Sequence, residues 1–365
     1  MKPLKWIFCL LPMVLFCQKN VALTTFTPDN ENIVYTGRIR FDDPMKPRLC
    51  GAASNFMVKF TGPECHVRFE LPPGNHHYMA VEVDGAYLGR IKITPSREDY
   101  VVASHLDAGD HVLRMVKATE ALLGDVVFAG IQCEQLKSFD YPWKRHIEFI
   151  GNSITSGTGV DQSDLPCDAD SAVWHDHHNA YLAYGPVVAR MLDADWLLSS
   201  VSGAGVCRNW NSEGPTVPQV YPQTALDMDT TSLWDSGNYS PDLISVCLGT
   251  NDFSDGDGSY DREPLNMETF IKTYVEFLAM LRSRYPDAPI CCLSSPVFSG
   301  EKKETLVGYL KFVVDIMQKE YDEKNIHLFV FSGTYTHGCT GHPNEQEQTQ
   351  MAQELLPFFQ GLMNW

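Results

Sequence analysis

His146-Ile-Glu-Phe-Ile150 runs straight into Gly151-Asn-Ser-Ile-Thr-Ser-Gly157, and this junction decides the fold. The first five residues read as a buried strand. The glycine-flanked segment reads as a tight turn into helical sequence, where an α/β enzyme exposes a nucleophilic hydroxyl. The spacing is not G-x-S-x-G, so Ser153 does not sit on the ordinary nucleophile elbow. By itself the motif fits a nucleophile and a turn serine that satisfies local backbone equally well. Its meaning depends on partners further along.

Those partners come from the strands that follow. Strand candidates are His146 to Ile150, Trp196 to Val201, Leu243 to Leu248, Ile290 to Leu293 and His327 to Phe331, with helical sequence between them. Alternation of this kind predicts a mostly parallel sheet. Phe270, Ile271, Tyr274, Val275, Phe277, Leu278 and Leu281 share one apolar helix face, ended at Tyr285-Pro286. Ligands of such sheets bind beyond the carboxyl ends of the strands. There stand Gly151-Asn-Ser153, Ser202-Gly-Ala-Gly205, Gly249-Thr-Asn-Asp252 and, after the last strand, His342-Pro343.

Together these carry what acyl transfer requires. Ser153 is the candidate nucleophile and His342 the candidate base. The backbone N–H of Ser153, the N–H of Gly203 and the side-chain amide of Asn251 are candidate oxyanion donors. Gly205 is the alternative to Gly203. Asn152 reads as a turn residue bracing the loop. Trp210, and less so Trp174, could stack on a sugar ring, and core packing is the alternative for both. His175-Asp-His-His178 resembles a metal cluster, but adjacent residues point in different directions. Asp252, Asp255 and Asp257 read as a solvated loop, since no glutamate completes a calcium loop. Neither a metal nor a cofactor is called for.

From Thr24 to Gln135 the pattern is different. Short alternating runs, among them Ser54 to Phe60, Cys65 to Leu71, Tyr78 to Val83, Tyr87 to Ile93 and His111 to Val116, are punctuated by Pro72-Pro-Gly74, Asp84-Gly85 and Ala108-Gly-Asp110. They predict an all-β sandwich of jelly-roll type over 24–138. The α/β domain is expected over 141–365. The N-terminus reads as a signal peptide over 1–22: Lys2 and Lys5, then an apolar run from Trp6 to Cys17, then a small residue at Ala22. Lipidation at Cys17 is the alternative. Both readings export the protein to the periplasm, cell surface or exterior.

A formal net charge of −18 makes nucleic acid and anionic membranes poor partners. No second segment is apolar enough to span a bilayer. The eleven cysteines have no regular spacing, and several lie inside strand-like runs, so they read as buried thiols rather than a disulfide framework.

The four blocks in this order resemble the SGNH, or GDSL-like, hydrolase superfamily. With the β-domain in front, the chain is similar to carbohydrate esterase family 2. The resemblance implies a three-layer α/β domain behind a jelly roll. It also implies an acetyl esterase acting on plant polysaccharide, such as acetylxylan or acetylglucomannan, with an acetylated polysaccharide or oligosaccharide as its partner. The fourth block departs from the superfamily pattern. The aspartate expected two or three residues before the histidine is replaced by Thr340 or Cys339, and Gly341 stands where relatives often carry a tryptophan. The expectation is therefore a Ser153–His342 dyad with a backbone carbonyl orienting the imidazole. Two alternatives stay open: a glycan-binding protein on a weakened esterase scaffold, and an esterase for non-carbohydrate short acyl esters.

Overall fold

The computed structural model describes residues 22–235, 237, 239–321 and 324–365. All of the expected signal segment except Ala22, Cys17 included, lies outside the described residues.

The alternating runs of the first part form a sandwich of two antiparallel sheets. One face of each strand is apolar, and these faces meet in a core that includes Phe56, Phe60, Phe69, Met115 and Phe128. Phe56 and Phe128 stack across the two sheets at 4.1 Å between ring centroids. The Asp84-Gly85 turn joins His77–Val83 to Ala86–Ile93, with both turn residues at positive φ, as a two-residue hairpin demands. Val126–Cys133 and Asp99–Ala103 are also strands. Their alternation was not among the runs read from the sequence, and Gly130 interrupts the first with a register shift.

The second part is a five-stranded, all-parallel sheet. Its order is Asp195–Ser200, His146–Gly151, Leu243–Val246, Ile290–Leu293, Ile326–Phe329. His146–Gly151 is flanked on both sides by later strands, so its carboxyl end lies where the winding reverses. That is the expected position for a ligand crevice. Tyr184–Met191 and Glu345–Met363 pack on one face, and Met267–Arg284 and Gly300–Glu320 on the other. Burial of both faces explains why the strands read as continuous apolar runs.

Glu148, in the middle of the central strand, is fully buried. Its partner comes from the sandwich. Arg38, also fully buried, approaches Glu148 to 3.6 Å. It donates to Ser199 Oγ at 2.8 Å and to the carbonyls of Tyr221 and Gln223 at 2.9 Å. Ser199 Oγ and Tyr221 OH donate in turn to Glu148, at 2.6 and 3.0 Å. Burial pushes the Glu148 carboxyl up, and Arg38 is the strongest influence opposing it. A second seam pairs Arg114 with Asp195 at 2.5 Å, the guanidinium lying 3.5 Å above the ring of Trp196. A third runs from Arg90 to Asp161 and to the carbonyl of His178.

The thiol reading of the cysteines needs one correction. Cys167 and Cys339 form a disulfide across 172 residues of sequence. No local spacing announces such a pair, because only the assembled sheet brings the two loops together. The other described cysteines are thiols, and most are buried.

Removing Arg38 would strand a buried carboxylate. Arg38→Ala should destabilise the folded protein by about 3–5 kcal/mol, and equilibrium urea unfolding will measure it.

Candidate active site

Ser153 opens a short helix, Ser153–Ser156, immediately after the central strand. Asn152 caps it, its Oδ1 accepting the Ile154 N–H at 3.2 Å. Gly157 ends it in the left-handed conformation, where a Cβ would strike the Asn179 carbonyl at 2.5 Å. The turn is thereby fixed at both ends, and Ser153 Oγ lies 2.8 Å from His342 Nε2. These residues are 189 apart in sequence.

His342 follows a tight turn, Cys339–Gly341, just before the final helix. Asn344 caps that helix reciprocally with Glu347. Burial holds the imidazole below its ordinary pKa, against the carbonyls of Cys339 and Thr340, which favour its charged form. Thr340 Oγ1 lies 3.0 Å from His342 Nδ1. A side-chain hydroxyl thus stands beside the backbone carbonyls to which the sequence pointed. That hydroxyl in turn donates to the Cys339 carbonyl at 2.7 Å.

The segments after the second and third strands come to the same edge. Gly203 has φ +72, and the space its Cβ would occupy is open. Gly205 differs. Its N–H already donates to Asn209 Oδ1 at 2.9 Å, and a Cβ there would meet the Arg208 carbonyl at 2.2 Å. Asn251 is buried and directs one amide hydrogen to the Ala204 carbonyl at 2.8 Å. An amide nitrogen carries two hydrogens, so the second remains available.

Two residues to which the sequence reading gave no part in the site hold this loop. Asp252, read there as part of a solvated loop, is fully buried. It accepts the backbone N–H groups of Val206, Cys207 and Arg208 at 2.8–3.1 Å. Its adjacency to Asn251 was the available signal. Glu120, from the connection between the sandwich strands Asp110–Lys117 and Val126–Cys133, is also fully buried and accepts the Ser202 N–H at 2.8 Å. Burial raises its carboxyl to about 7. Nothing local in the sequence marks it.

Trp210 is exposed, and its backbone N–H donates to the Gly203 carbonyl at 2.8 Å. Trp174 is exposed too, its ring edge-on to His178 at 4.2 Å. A cavity of about 540 Å³ opens beside Gly203 between the two parts of the chain, lined by Arg40, Arg48, Leu122, Asn209 and Met228 among others. Ser153 and His342 lie outside its walls. Among the described residues, no group of three or more His, Cys, Asp or Glu is arranged to hold a metal ion. No described helix is long and apolar enough to cross a membrane.

Residues 149–352 match the GDSL-like lipase/acylhydrolase family. The chain belongs to that family. Residues 35–142 match the N-terminal region of carbohydrate esterase family 2. A solved family two carbohydrate esterase from Clostridium thermocellum, in complex with cellohexaose, superposes with a TM-score of 0.81 at 28% identity, over 91% of this chain and 99% of that one. The cellulase/esterase CelE of Acetivibrio thermocellus is 30% identical over 93% of this chain, which spans 41% of that longer protein. An acetylxylan esterase/glucomannan deacetylase of Cellvibrio japonicus is 26% identical over 93% of this chain and 92% of its own length. The chain is an esterase with family 2 architecture.

Asp252→Ala leaves up to three buried N–H groups without an acceptor. Each costs about 1–3 kcal/mol. The thermal midpoint and ester turnover should therefore both fall, and Asp252→Asn, which keeps an acceptor oxygen, should lose less of each. Calorimetry with a colorimetric ester assay checks both.

Proposed function

We propose that the protein removes O-acetyl groups from plant cell-wall polysaccharide, acetylxylan or acetylglucomannan, through a serine acyl-enzyme. The 2.8 Å contact between Ser153 Oγ and His342 Nε2 carries the reading. A hydroxyl is a weak nucleophile until a positioned base takes its proton. His342 suits that role, because burial keeps it neutral to lower pH than an ordinary histidine.

Ser153 Oγ attacks the acetyl carbonyl as its proton passes to His342 Nε2. The negative charge on the carbonyl oxygen is met by the N–H groups of Ser153 and Gly203 and the second amide hydrogen of Asn251. The engagement of Gly205 N–H with Asn209 favours Gly203 as the second donor. The imidazolium then protonates the departing sugar oxygen. Water, deprotonated by the same imidazole, attacks the acetyl-serine, and the proton returns to Ser153 as acetate leaves.

The exposed Trp210, tied through its backbone to Gly203, is a platform for a pyranose face. The polysaccharide assignment draws on the Cellvibrio relative, named for acetylxylan and glucomannan. Export, through the apolar N-terminal segment, places the enzyme where such polymers are met.

Ser153→Ala should reduce acetate release from acetylated xylan by at least about 10⁴-fold without lowering the thermal midpoint. Retained turnover would refute the nucleophile. 4-Nitrophenyl acetate should be turned over faster than the butyrate, and the reverse order would sink the acetyl assignment. A protonated imidazole cannot accept the serine proton, so kcat/KM should rise with pH through an acid limb below the ordinary histidine value of 6.5.

A further inference from the structure

A histidine base without a carboxylate must be held by something else, in one tautomer and at one place. We propose that the Cys167–Cys339 disulfide, acting through Thr340, positions His342 for proton transfer. This rests on the reading of Ser153 and His342 as nucleophile and base.

The polarity of the contacts fixes the tautomer. Thr340 Oγ1 donates its hydrogen to the Cys339 carbonyl at 2.7 Å. A hydroxyl has one hydrogen, so towards His342 it can only accept. The Nδ1 hydrogen of His342 therefore points at Oγ1, 3.0 Å away. The Nε2 lone pair is left facing Ser153 Oγ at 2.8 Å. When Nε2 takes the serine proton, the same Nδ1–H···Oγ1 contact persists and the ring need not turn.

The relay is only as steady as the Cys339 carbonyl, which, besides the Thr340 hydroxyl, accepts within the turn only the His342 backbone N–H, at 3.3 Å. Thr340 and Gly341 are exposed, and Cys339 is the buried residue of the three. Thr340 sits in the left-handed region at φ 57, which a β-branched residue adopts only when its surroundings impose it. The imposing contacts converge on Cys339. Its N–H donates to the Gly159 carbonyl at 2.9 Å. A Cβ at Gly159 would lie 2.4 Å from the Cys339 carbonyl, so glycine there permits the approach. Its sulfur is bonded to Cys167, with the Cα atoms 5.2 Å apart.

The other end of the disulfide is anchored as well. Cys167 belongs to the loop between Asp161 and His178. Asp161 N–H donates to the His177 carbonyl at 3.0 Å, and Asp161 Oδ2 accepts from Asn179 Nδ2 at 2.8 Å. Arg90 of the sandwich clasps both ends of that loop, pairing with Asp161 at 3.1 Å and donating to the His178 carbonyl at 2.8 Å. A continuous line of contacts thus runs from Arg90 through the loop and the disulfide to the Cys339 carbonyl, Thr340 and His342. Two other imidazoles face this line: His178, whose charged form is disfavoured by burial and by the neighbouring His175 and His342, and His177, whose Nε2 lies 3.1 Å from the Leu165 carbonyl, close to Cys167.

The test measures kcat, KM and the pH profile for 4-nitrophenyl acetate in wild type, Cys167→Ser and Thr340→Val, the last keeping the branched shape without the hydroxyl. Cys167→Ser leaves every residue touching His342 in place. It should lower kcat by about 10–100-fold with KM within about twofold, and move the acid limb up towards the ordinary histidine value as the ring gains water. Thr340→Val should act in the same direction, and the double variant should cost less than the product of the two. Mild reduction of folded wild type should reproduce the loss, with recovery on reoxidation. That arm holds even if Cys167→Ser does not fold. A lowered thermal midpoint with kcat and the acid limb unchanged would show a staple for stability only and overturn the proposal. Independent effects in the double variant would also overturn it. Turnover retained in His342→Ala would instead refute the parent reading.

Discussion

The structure depends on one buried charge pair. Arg38 of the sandwich and Glu148 of the central strand meet where no water reaches either of them. Neither could be buried alone at a tolerable cost. Satisfying Glu148 also uses Ser199 and Tyr221, from the neighbouring strand and the loop beyond Gly203. The contact therefore fixes the sandwich against the sheet and sets the first two strands against each other, just behind the ends that carry Ser153 and Gly203. Arg114 with Asp195, and Glu120 with the Ser202 N–H, repeat the arrangement on either side. The sandwich is thus part of the scaffold of the site.

The site itself is assembled from tight turns, each limited by a different physical cause. Asn152 and Gly157 bracket Ser153 by capping. Asp252 gathers three consecutive N–H groups and so shapes the loop that presents Gly203. Asn251 spends one amide hydrogen on Ala204, which orients the other. In the proposed reaction these contacts hold the candidate oxyanion donors in place before any substrate arrives, and preorganisation is what lets such groups stabilise charge in a transition state.

Much of this was legible in the residues. The strand-then-turn pattern located all five parallel strands to within a few residues, because four of them are almost wholly buried and read as apolar runs, the edge strand Ile326–Phe329 being only partly buried. Of the four blocks at the strand ends, the fold brings Ser153 and His342 within 2.8 Å of each other and sets the segments of Gly203 and Asn251 at the same edge of the sheet. What the sequence could not show shares one property: it depends on partners distant along the chain. Glu148 gives no hint of Arg38, nor Ser202 of Glu120. Cys167 and Cys339 lack any framework spacing. The position of Thr340 Oγ1 against His342 needs a backbone angle that composition does not encode. Asp252 was misjudged because a row of aspartates looks solvated until one of them is seen to face inward.

The seams also limit how the chain can be divided. A sandwich cut away from its sheet would expose Arg38, Arg114 and Glu120 without the groups that balance them, and the sheet would keep Glu148 and Asp195 without their guanidinium partners. Exchange of the front module between relatives would succeed only if both sides of each seam travelled together. The boundary between the two parts is therefore a line in the sequence but not a joint in the molecule, and the two halves are constrained to change as one.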